Sequence, residues 1–138
     1  MLVHQEVIAV STSGRGFVDV TRAIAEVVSR SGLHSGVCQT FLQHTSASLV
    51  IQENADPAVL RDLQAFFDEL VPEQRAWEHN DEGPDDMPAH VKAALTKTQE
   101  TMPIVAGRLG LGVWQALYVW EHRARGHRRN LVVTLWGK

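Results

Sequence analysis

Residues Val113–His122, with the sequence VWQALYVWEH, are predicted to form one long β-strand because β-branched and aromatic side chains are concentrated there. A strand at Met102–Val105 precedes this segment across a glycine-rich turn. Another at Leu131–Trp136 follows it across a basic loop or hairpin turn. No helix separates these three strands, which favours antiparallel over parallel pairing. The C-terminal part of the chain therefore predicts antiparallel β-structure.

The segments before this region are predicted to mix strands and helices without regular alternation. Strands are expected at Glu6–Val10, Gly36–Gln43 and Leu49–Gln52. Helices are expected at about 19–30, from 57 to before Pro72, and from Asp86 or Met87 to about Leu95. The second helix starts at Asp56-Pro57 and is predicted to bury its apolar side chains, which are Val59, Leu60, Leu63, Phe66, Phe67 and Leu70. The order, roughly β-α-β-β-α-α-β-β-β, favours an α+β fold over a parallel doubly wound sheet.

The composition fits one globular domain over residues 1–138, of which 44% are hydrophobic and 21% charged. The net charge of −3 gives no basic footprint of a nucleic-acid binder. No apolar run is long enough to span a bilayer, and the N-terminus lacks a signal-peptide pattern, so the cytoplasm is the expected compartment. The one cysteine, Cys38, is predicted to be a packed, unreactive thiol.

The polar stretch Glu78–His90 is the first candidate for a functional site. It carries His79 near its start and His90 at its end, and a third histidine, His44, ends a predicted strand. Three imidazoles with an open fourth position suit a catalytic zinc, and histidine mixed with carboxylate also suits manganese, iron or nickel. The spacing matches no zinc motif, so capping and hydrogen-bonding roles stay open as the alternative.

The acids of this stretch are expected to differ in their roles. We expect Glu78 to lie near any chemistry. Most of the others are expected to be solvated or to cap a helix, and they are Asp81, Glu82, Asp85 and Asp86.

A group of arginines near the C-terminus is the second candidate, since the guanidinium fork binds phosphate. Arg108, in its glycine turn, and Arg128 or Arg129, at the start of the last strand, are predicted to bind a small phosphorylated ligand. Surface solubility is the alternative for most of this group. The hydroxyls of Thr45 and Ser46 are predicted to bind ligand or form a turn, because no Gly-x-Ser-x-Gly nucleophile motif is present.

Several blocks of the sequence, taken in order, resemble the YjbQ-like family, also described as secondary thiamine-phosphate synthases. The blocks are His44-Thr45-Ser46-Ala47-Ser48, Asn54-Ala55-Asp56-Pro57, Asp86-Met87-Pro88-Ala89-His90-Val91-Lys92-Ala93, Gly107-Arg108-Leu109-Gly110-Leu111-Gly112-Val113-Trp114-Gln115, and Glu121 with Arg128-Arg129. The resemblance covers nearly the whole chain. It implies a β-sandwich-like core with flanking helices, a homotrimer, and a site built from histidines that match His44, His79 and His90, which holds a metal ion in some members.

The resemblance also implies a weak thiamine-phosphate synthase activity, which joins a pyrimidine pyrophosphate to a thiazole phosphate and releases pyrophosphate. One region departs from the family pattern. An Asp-Gly-Pro-Arg type of turn is expected after Glu121, but residues 122–127 of this chain are HRARGH. The exchange of an acid for arginines changes the charge beside the expected ligand site.

We therefore predict a metal-assisted enzyme that acts on a small phosphorylated metabolite and uses a divalent ion such as zinc, magnesium or manganese. His44, His79 and His90 are the expected metal ligands or acid–base groups, with Glu121 beside them. The residues expected to bind substrate are Thr45, Ser46, Asn54, Arg108, Arg128 and Arg129. A metal-dependent hydrolase and a non-catalytic protein that binds a metal or small ligand are the alternatives.

Overall fold

The computed structural model describes residues 1–138 and contains eight strands and three helices. The strands are β1 (Leu2–Ser11), β2 (Gly16–Asp19), β3 (Gly36–Leu42), β4 (Ala47–Glu53), β5 (Gln99–Val105), β6 (Arg108–Leu109), β7 (Gln115–Glu121) and β8 (Arg128–Gly137). The helices are α1 (Thr21–Ser31), α2 (Pro57–Leu70) and α3 (Asp86–Leu95). This set of elements confirms the predicted α+β fold, and no helix is long and apolar enough to cross a membrane.

The strands form two antiparallel sheets. The larger has the order β1-β8-β3-β5-β6, and the smaller has the order β2-β7-β4. The hairpin suggested for the basic loop after β7 is wrong, because β7 and β8 lie in different sheets. The loop crosses from one sheet to the other and is fixed by hydrogen bonds between the main chains of Thr12 and His127 and from the His127 N–H to the Thr12 hydroxyl. This crossing brings the end of β7 opposite the start of β8.

The hydrophobic core lies between the two sheets and α1. It contains seventeen buried residues, including Leu117 and Val119 from β7 and Leu131, Val133 and Leu135 from β8. The alternate residues of each strand point into this core, as the period of two in a β-strand requires. The helix predicted at about 19–30 is confirmed as α1, and its glycine stop at residue 32 adopts a φ of 71°.

Helix α2 covers the outer side of the smaller sheet. Its predicted start is confirmed, because the Asp56 carboxylate accepts a hydrogen bond from the Ala58 N–H and Pro57 is the first helical residue. The prediction that it buries a full apolar face is wrong, since Phe66 and Leu70 are 60% and 55% exposed. Only one stripe of the helix contacts the sheet, with Phe67 packed edge-on against Trp120, and no further layer lies over the other apolar side chains.

The outer face of the larger sheet is apolar and open. Two apolar rows run across β1, β8 and β3, and they are Val3–Trp136–Val37 and Val7–Val132–Phe41. A polar row, Gln5–Thr134–Gln39, lies between them. Val3 and Val7 are 70% and 64% exposed, so no other element of the chain covers this face.

Candidate functional site

Three side chains converge where the polar stretch enters α3. Asp86 and His90 lie one turn apart on the same side of this helix, and His79 reaches them from the preceding loop. The His79 Nε2 atom lies 2.8 Å from Asp86 Oδ2, and the His90 Nε2 atom lies 3.3 Å from the same oxygen. Candidate ligand atoms from the three residues all lie within 4.8 Å of one another, as a shared metal ion requires.

The protonation of His90 is set by the main chain of the loop before β4. Its Nδ1 atom lies 2.9 Å from the Thr45 carbonyl oxygen, which can only accept, so Nδ1 carries a hydrogen and donates it. In the neutral ring the lone pair is then on Nε2, which faces the Asp86 carboxylate. Two hydrogen-bond acceptors that face each other at this distance repel, and a shared cation, a proton or a metal ion, would stabilise the pair.

Within this cluster, defined as His79, Asp86 and His90, the Asp86 carboxylate and the His79 ring each stabilise the charged form of the other. Burial opposes ionisation of the Asp86 carboxyl, which is 4% exposed, but the hydrogen bond from His79 and the charge of Arg123 hold its pKa below the usual range. The hydrogen bond to Asp86 raises the pKa of His79 in turn. At neutral pH a cation bound here therefore meets an ionised Asp86 and competes with a proton on His79.

His44 lies outside this cluster. Its Nε2 atom accepts a hydrogen bond of 2.7 Å from the Asn130 N–H, and its Nδ1 atom lies 3.4 Å from the Arg129 guanidinium. Burial and the positive charge of Arg129 lower the pKa of His44, against the opposing charge of Glu121. Of the three histidines predicted to share a metal, the structure thus brings together His79 and His90, and Asp86 completes their group.

His44 belongs to a second polar cluster, which is built on the buried ion pair of Glu121 and Arg129. The Arg129 Nε atom donates to Glu121 Oε1 at 2.8 Å, and its terminal Nη2 atom donates to Glu121 and to the carbonyl and hydroxyl oxygens of Ser46. The Thr12 hydroxyl donates to the same carboxylate at 2.7 Å. Burial would raise the pKa of Glu121, but these hydrogen bonds and the charge of Arg129 lower it. The pair is therefore charged.

The two clusters are joined at two points. Ser46, which Arg129 holds, directly follows Thr45, whose carbonyl fixes His90. Arg123 forms the other link, because its main-chain N–H donates to Glu121 and its guanidinium contacts Asp86. A change in the Glu121–Arg129 pair therefore reaches the cluster of His79, Asp86 and His90 through one or two hydrogen bonds.

The other predicted site residues lie outside both clusters. The Asn54 amide donates to the main-chain carbonyls of Val113 and Gln115 and so ties the end of β4 to the start of β7. Arg108 borders a cavity of about 310 Å³ beside α1, and Arg128 is exposed on β8. Glu78 lines an open cavity of about 670 Å³ together with His79, so it stays near the candidate site.

Sequence reasoning missed the two residues that complete the site, Asp86 and Arg123. The expectation that Asp86 is solvated or a helix cap is wrong, since its carboxylate is buried and bonded to His79. The signal was the interval between Asp86 and His90, because residues four apart share one side of a helix. Arg123 had no such signal, since its partners are more than thirty residues away in the sequence.

A separate buried pair, Ser48 and His122, lies on the outer side of the smaller sheet. The Ser48 Oγ and His122 Nε2 atoms are 2.8 Å apart, and His122 Nδ1 is buried without a partner. Burial, helped by the charge of Lys92, lowers the pKa of His122 to about 3. The folded protein therefore holds this ring neutral.

We expect His122 to make the protein less stable in acid. The unfolded chain, with an ordinary histidine pKa of about 6.5, takes up a proton that the folded chain refuses, so this contribution is complete above that pH and is lost toward pH 3. The free energy of unfolding should fall by up to about 1.4 kcal/mol per pH unit in this window. Urea titrations at several pH values give the free energy of unfolding as a function of pH. Its change per pH unit should be smaller for His122→Asn than for the wild type, and the same as in the wild type for exposed His34→Asn. Equal slopes in all three proteins would contradict the assignment.

Comparison with known proteins places this chain and its fold in a family. A family model described as UPF0047 protein YjbQ-like matches residues 6–138. A UPF0047 protein of Synechocystis is 53% identical, with 98% of this chain and 92% of that protein covered. The UPF0047 protein YjbQ of Escherichia coli O157:H7 is 38% identical, with 98% and 99% covered.

Solved structures agree. A YjbQ/UPF0047 protein of Clostridium acetobutylicum superimposes with a TM-score of 0.84 at 31% identity, over 94% of this chain and 99% of that one. Together the two sheets, the three helices and these matches define a YjbQ-type α+β domain. The chain belongs to the YjbQ-like UPF0047 family, as the sequence blocks indicated. The names of these relatives state a family and no activity.

Proposed function

We propose that this protein is a metal-dependent enzyme whose divalent ion is held by His79, Asp86 and His90. The observation that carries the proposal is the arrangement at Asp86 Oδ2, which meets the lone pair of His90 Nε2 and the Nε2 atom of His79. Two imidazoles and one carboxylate suit zinc, which in catalytic sites has three protein ligands and one open position, and they also suit manganese. Magnesium, which prefers oxygen ligands, suits this donor set less well.

The ion, when bound, would supply a Lewis acid for a phosphoryl oxygen or for an attacking water. The residues of the chain have distinct roles around it. Asp86 and His90 are held by the helix, and the Thr45 carbonyl orients the His90 ring. His79 comes from the loop, is about half exposed, and faces the open cavity, so it is the ligand nearest to an entering substrate. Its Nε2 proton must leave before the nitrogen can bind a cation.

The second cluster supports this site from one side. The guanidinium of Arg129 is already bonded to Glu121 and Ser46, so we assign it to holding the loop of Thr45 and not to binding phosphate directly. The lowered pKa of His44 favours its neutral ring, and we assign it an acid–base or substrate-contacting role next to Arg129, outside the group of metal ligands. Among the predicted phosphate ligands, Arg108 and Arg128 both keep exposed side chains with no acidic partner.

The substrate in this proposal is a small phosphorylated metabolite, and thiamine-phosphate synthesis is the reaction that the family resemblance favours. A metal-dependent hydrolase is the second candidate, because two histidines and a carboxylate with an open position are also the ligands of hydrolytic zinc. Two assays separate the synthase from the hydrolase: one measures thiamine phosphate formed, and the other measures phosphate released. Both are run with zinc or manganese, on the wild type and on His44→Ala. Product that depends on metal and on His44 supports an enzyme. Metal binding without turnover of any substrate would leave a binding protein.

We also propose that the protein assembles as a homotrimer through the outer face of the larger sheet. The two apolar rows of this face supply the uncovered surface that a stable interface needs, and the polar row between them can supply hydrogen bonds. The contact would run from sheet to sheet around a three-fold axis.

We expect Val7→Lys to disrupt the trimer, because it places a charge in an apolar row, on the exposed edge strand of the sheet. Light scattering coupled to size exclusion should give a trimer mass for the wild type and a monomer mass for this variant. Phe66→Lys is the matched control, since Phe66 is equally exposed but lies on α2 and outside the face. A trimer that survives Val7→Lys, or a wild-type monomer, would refute the proposed interface.

A further inference from the structure

Arg123 lies in the loop between β7 and β8, and each nitrogen of its guanidinium contacts a different residue of the segment 82–86. Its Nε atom donates to Asp85 Oδ2 at 2.9 Å, and one terminal nitrogen donates to the Glu82 carbonyl at 2.9 Å. The other terminal nitrogen lies 3.1 Å from Asp86 Oδ1. The side chain is only 17% exposed, although it lies in a surface loop.

The contact with Arg123 gives the two oxygens of the Asp86 carboxylate different partners. Arg123 takes the Oδ1 atom, and the Oδ2 atom is left to face His79 and His90. Arg123 is the one side chain in contact with Oδ1, so it fixes the Asp86 carboxylate from the side opposite to His79. A carboxylate fixed in this way presents one oxygen to a cation and not two.

The positive charge of Arg123 does not act alone on the cluster. The Asp85 carboxylate bonds to the same guanidinium and also accepts the Ala124 N–H at 2.8 Å. The ion pair of Arg123 and Asp85 is therefore close to neutral as seen from His79 and His90, so its repulsion of a cation is largely cancelled. What remains is the geometric effect on Asp86.

We propose that Arg123 is a positioning residue that sets the metal affinity of the cluster by holding Asp86 Oδ1. The inference rests on the proposed function, because it concerns affinity for the ion that His79, Asp86 and His90 would share. Partners that orient a metal ligand are typically worth about 10–100-fold in affinity. Lysine at this position keeps the charge but lacks the fork that reaches Asp85, Asp86 and the Glu82 carbonyl together.

The test compares zinc affinity, measured by competition with a chelating dye, for the wild type and three variants. Arg123→Met with Asp85→Asn is the central variant, since it removes both charges of the pair and keeps the net charge of the protein. We expect it to bind zinc about 10–100-fold more weakly than the wild type. Arg123→Lys should fall between the two. Asp85→Asn alone keeps the contact of Arg123 with Asp86 but leaves the Arg123 charge uncancelled, so it should also bind zinc more weakly than the wild type.

A double-mutant cycle with Asp86→Asn decides whether Arg123 acts through Asp86. If it does, removing the Arg123–Asp85 pair should cost little further affinity once Asp86 has lost its charge. Wild-type affinity in the charge-matched variant, or a full additional loss on top of Asp86→Asn, would overturn the inference.

Amide hydrogen exchange of the metal-free protein separates this inference from the proposed function. Faster exchange across residues 79–90 in the charge-matched variant, at unchanged thermal stability, is expected if Arg123 orders this segment. A wild type that binds no zinc would refute the metal site, whereas unchanged exchange would refute the role of Arg123.

Discussion

Asp86→Asn should remove most of the metal affinity of the protein. The variant exchanges the buried carboxylate that both histidines face for a neutral amide, while the size of the side chain and the start of α3 are kept. Loss of a direct ligand should cost at least the upper end of the range for outer partners, roughly 100-fold. Elemental analysis of purified protein and a zinc titration would measure the loss.

Asp81→Asn is the matched control for this variant. Asp81 carries the same charge and lies 3.9 Å from His79, but its side chain is 83% exposed and it is absent from the group of His79, Asp86 and His90. Asp81, Glu82 and His79 form an alternative, fully exposed group of candidate ligands. If Asp81→Asn lost the metal and Asp86→Asn kept it, the ion would belong to the exposed group and the proposed site would be wrong.

Arg129→Met should be the most destabilising single change in the second cluster. The Glu121 carboxylate is fully buried, and this substitution removes its countercharge. Breaking a buried ion pair in this way lowers the free energy of unfolding by about 3–5 kcal/mol. Chemical denaturation at neutral pH would measure the free energy of unfolding. Exposed Arg125→Met, in the neighbouring loop, should change it by no more than about 0.5 kcal/mol.

The double variant Glu121→Gln with Arg129→Met shows whether the cost comes from the stranded charge. We expect it to be more stable than Arg129→Met alone, because the buried carboxylate is no longer present. A double variant that is less stable than either single variant would instead assign the loss to packing.

The sequence predicted the elements whose boundaries are local. Asp56-Pro57 and Gly32 mark the ends of helices through their own backbone and capping preferences, and the structure has helix boundaries at these places. The strands β2 and β6 were not predicted, because segments of four and two residues form only by pairing with a longer partner. The route of the loop after β7 depends on which sheet receives β8, and no local pattern encodes that choice.

The candidate site divides in the same way. The pairing of Asp86 with His90 follows from helix geometry and was available in the sequence. The approach of His79 depends on a loop with no regular period, and the contact of Arg123 with Asp86 depends on the crossing between sheets. His44 looked equivalent to the other two histidines in sequence, but its position at the end of β3 directs it to Asn130 and Arg129.

The acceptor that orients His90 is the main-chain carbonyl of Thr45. This determines which substitutions can change the orientation of the ring. A substitution of Thr45 changes the hydroxyl that attracted notice in the sequence but leaves that carbonyl in place. The position of the carbonyl depends on the path of the chain through Ser46. Arg129, which lies on β8 of the larger sheet, donates hydrogen bonds to the carbonyl and hydroxyl oxygens of Ser46. The tautomer of His90 therefore depends more on the side chain of Arg129 than on that of Thr45. Substitutions that alter the chemistry should thus also occur at residues that do not contact the substrate.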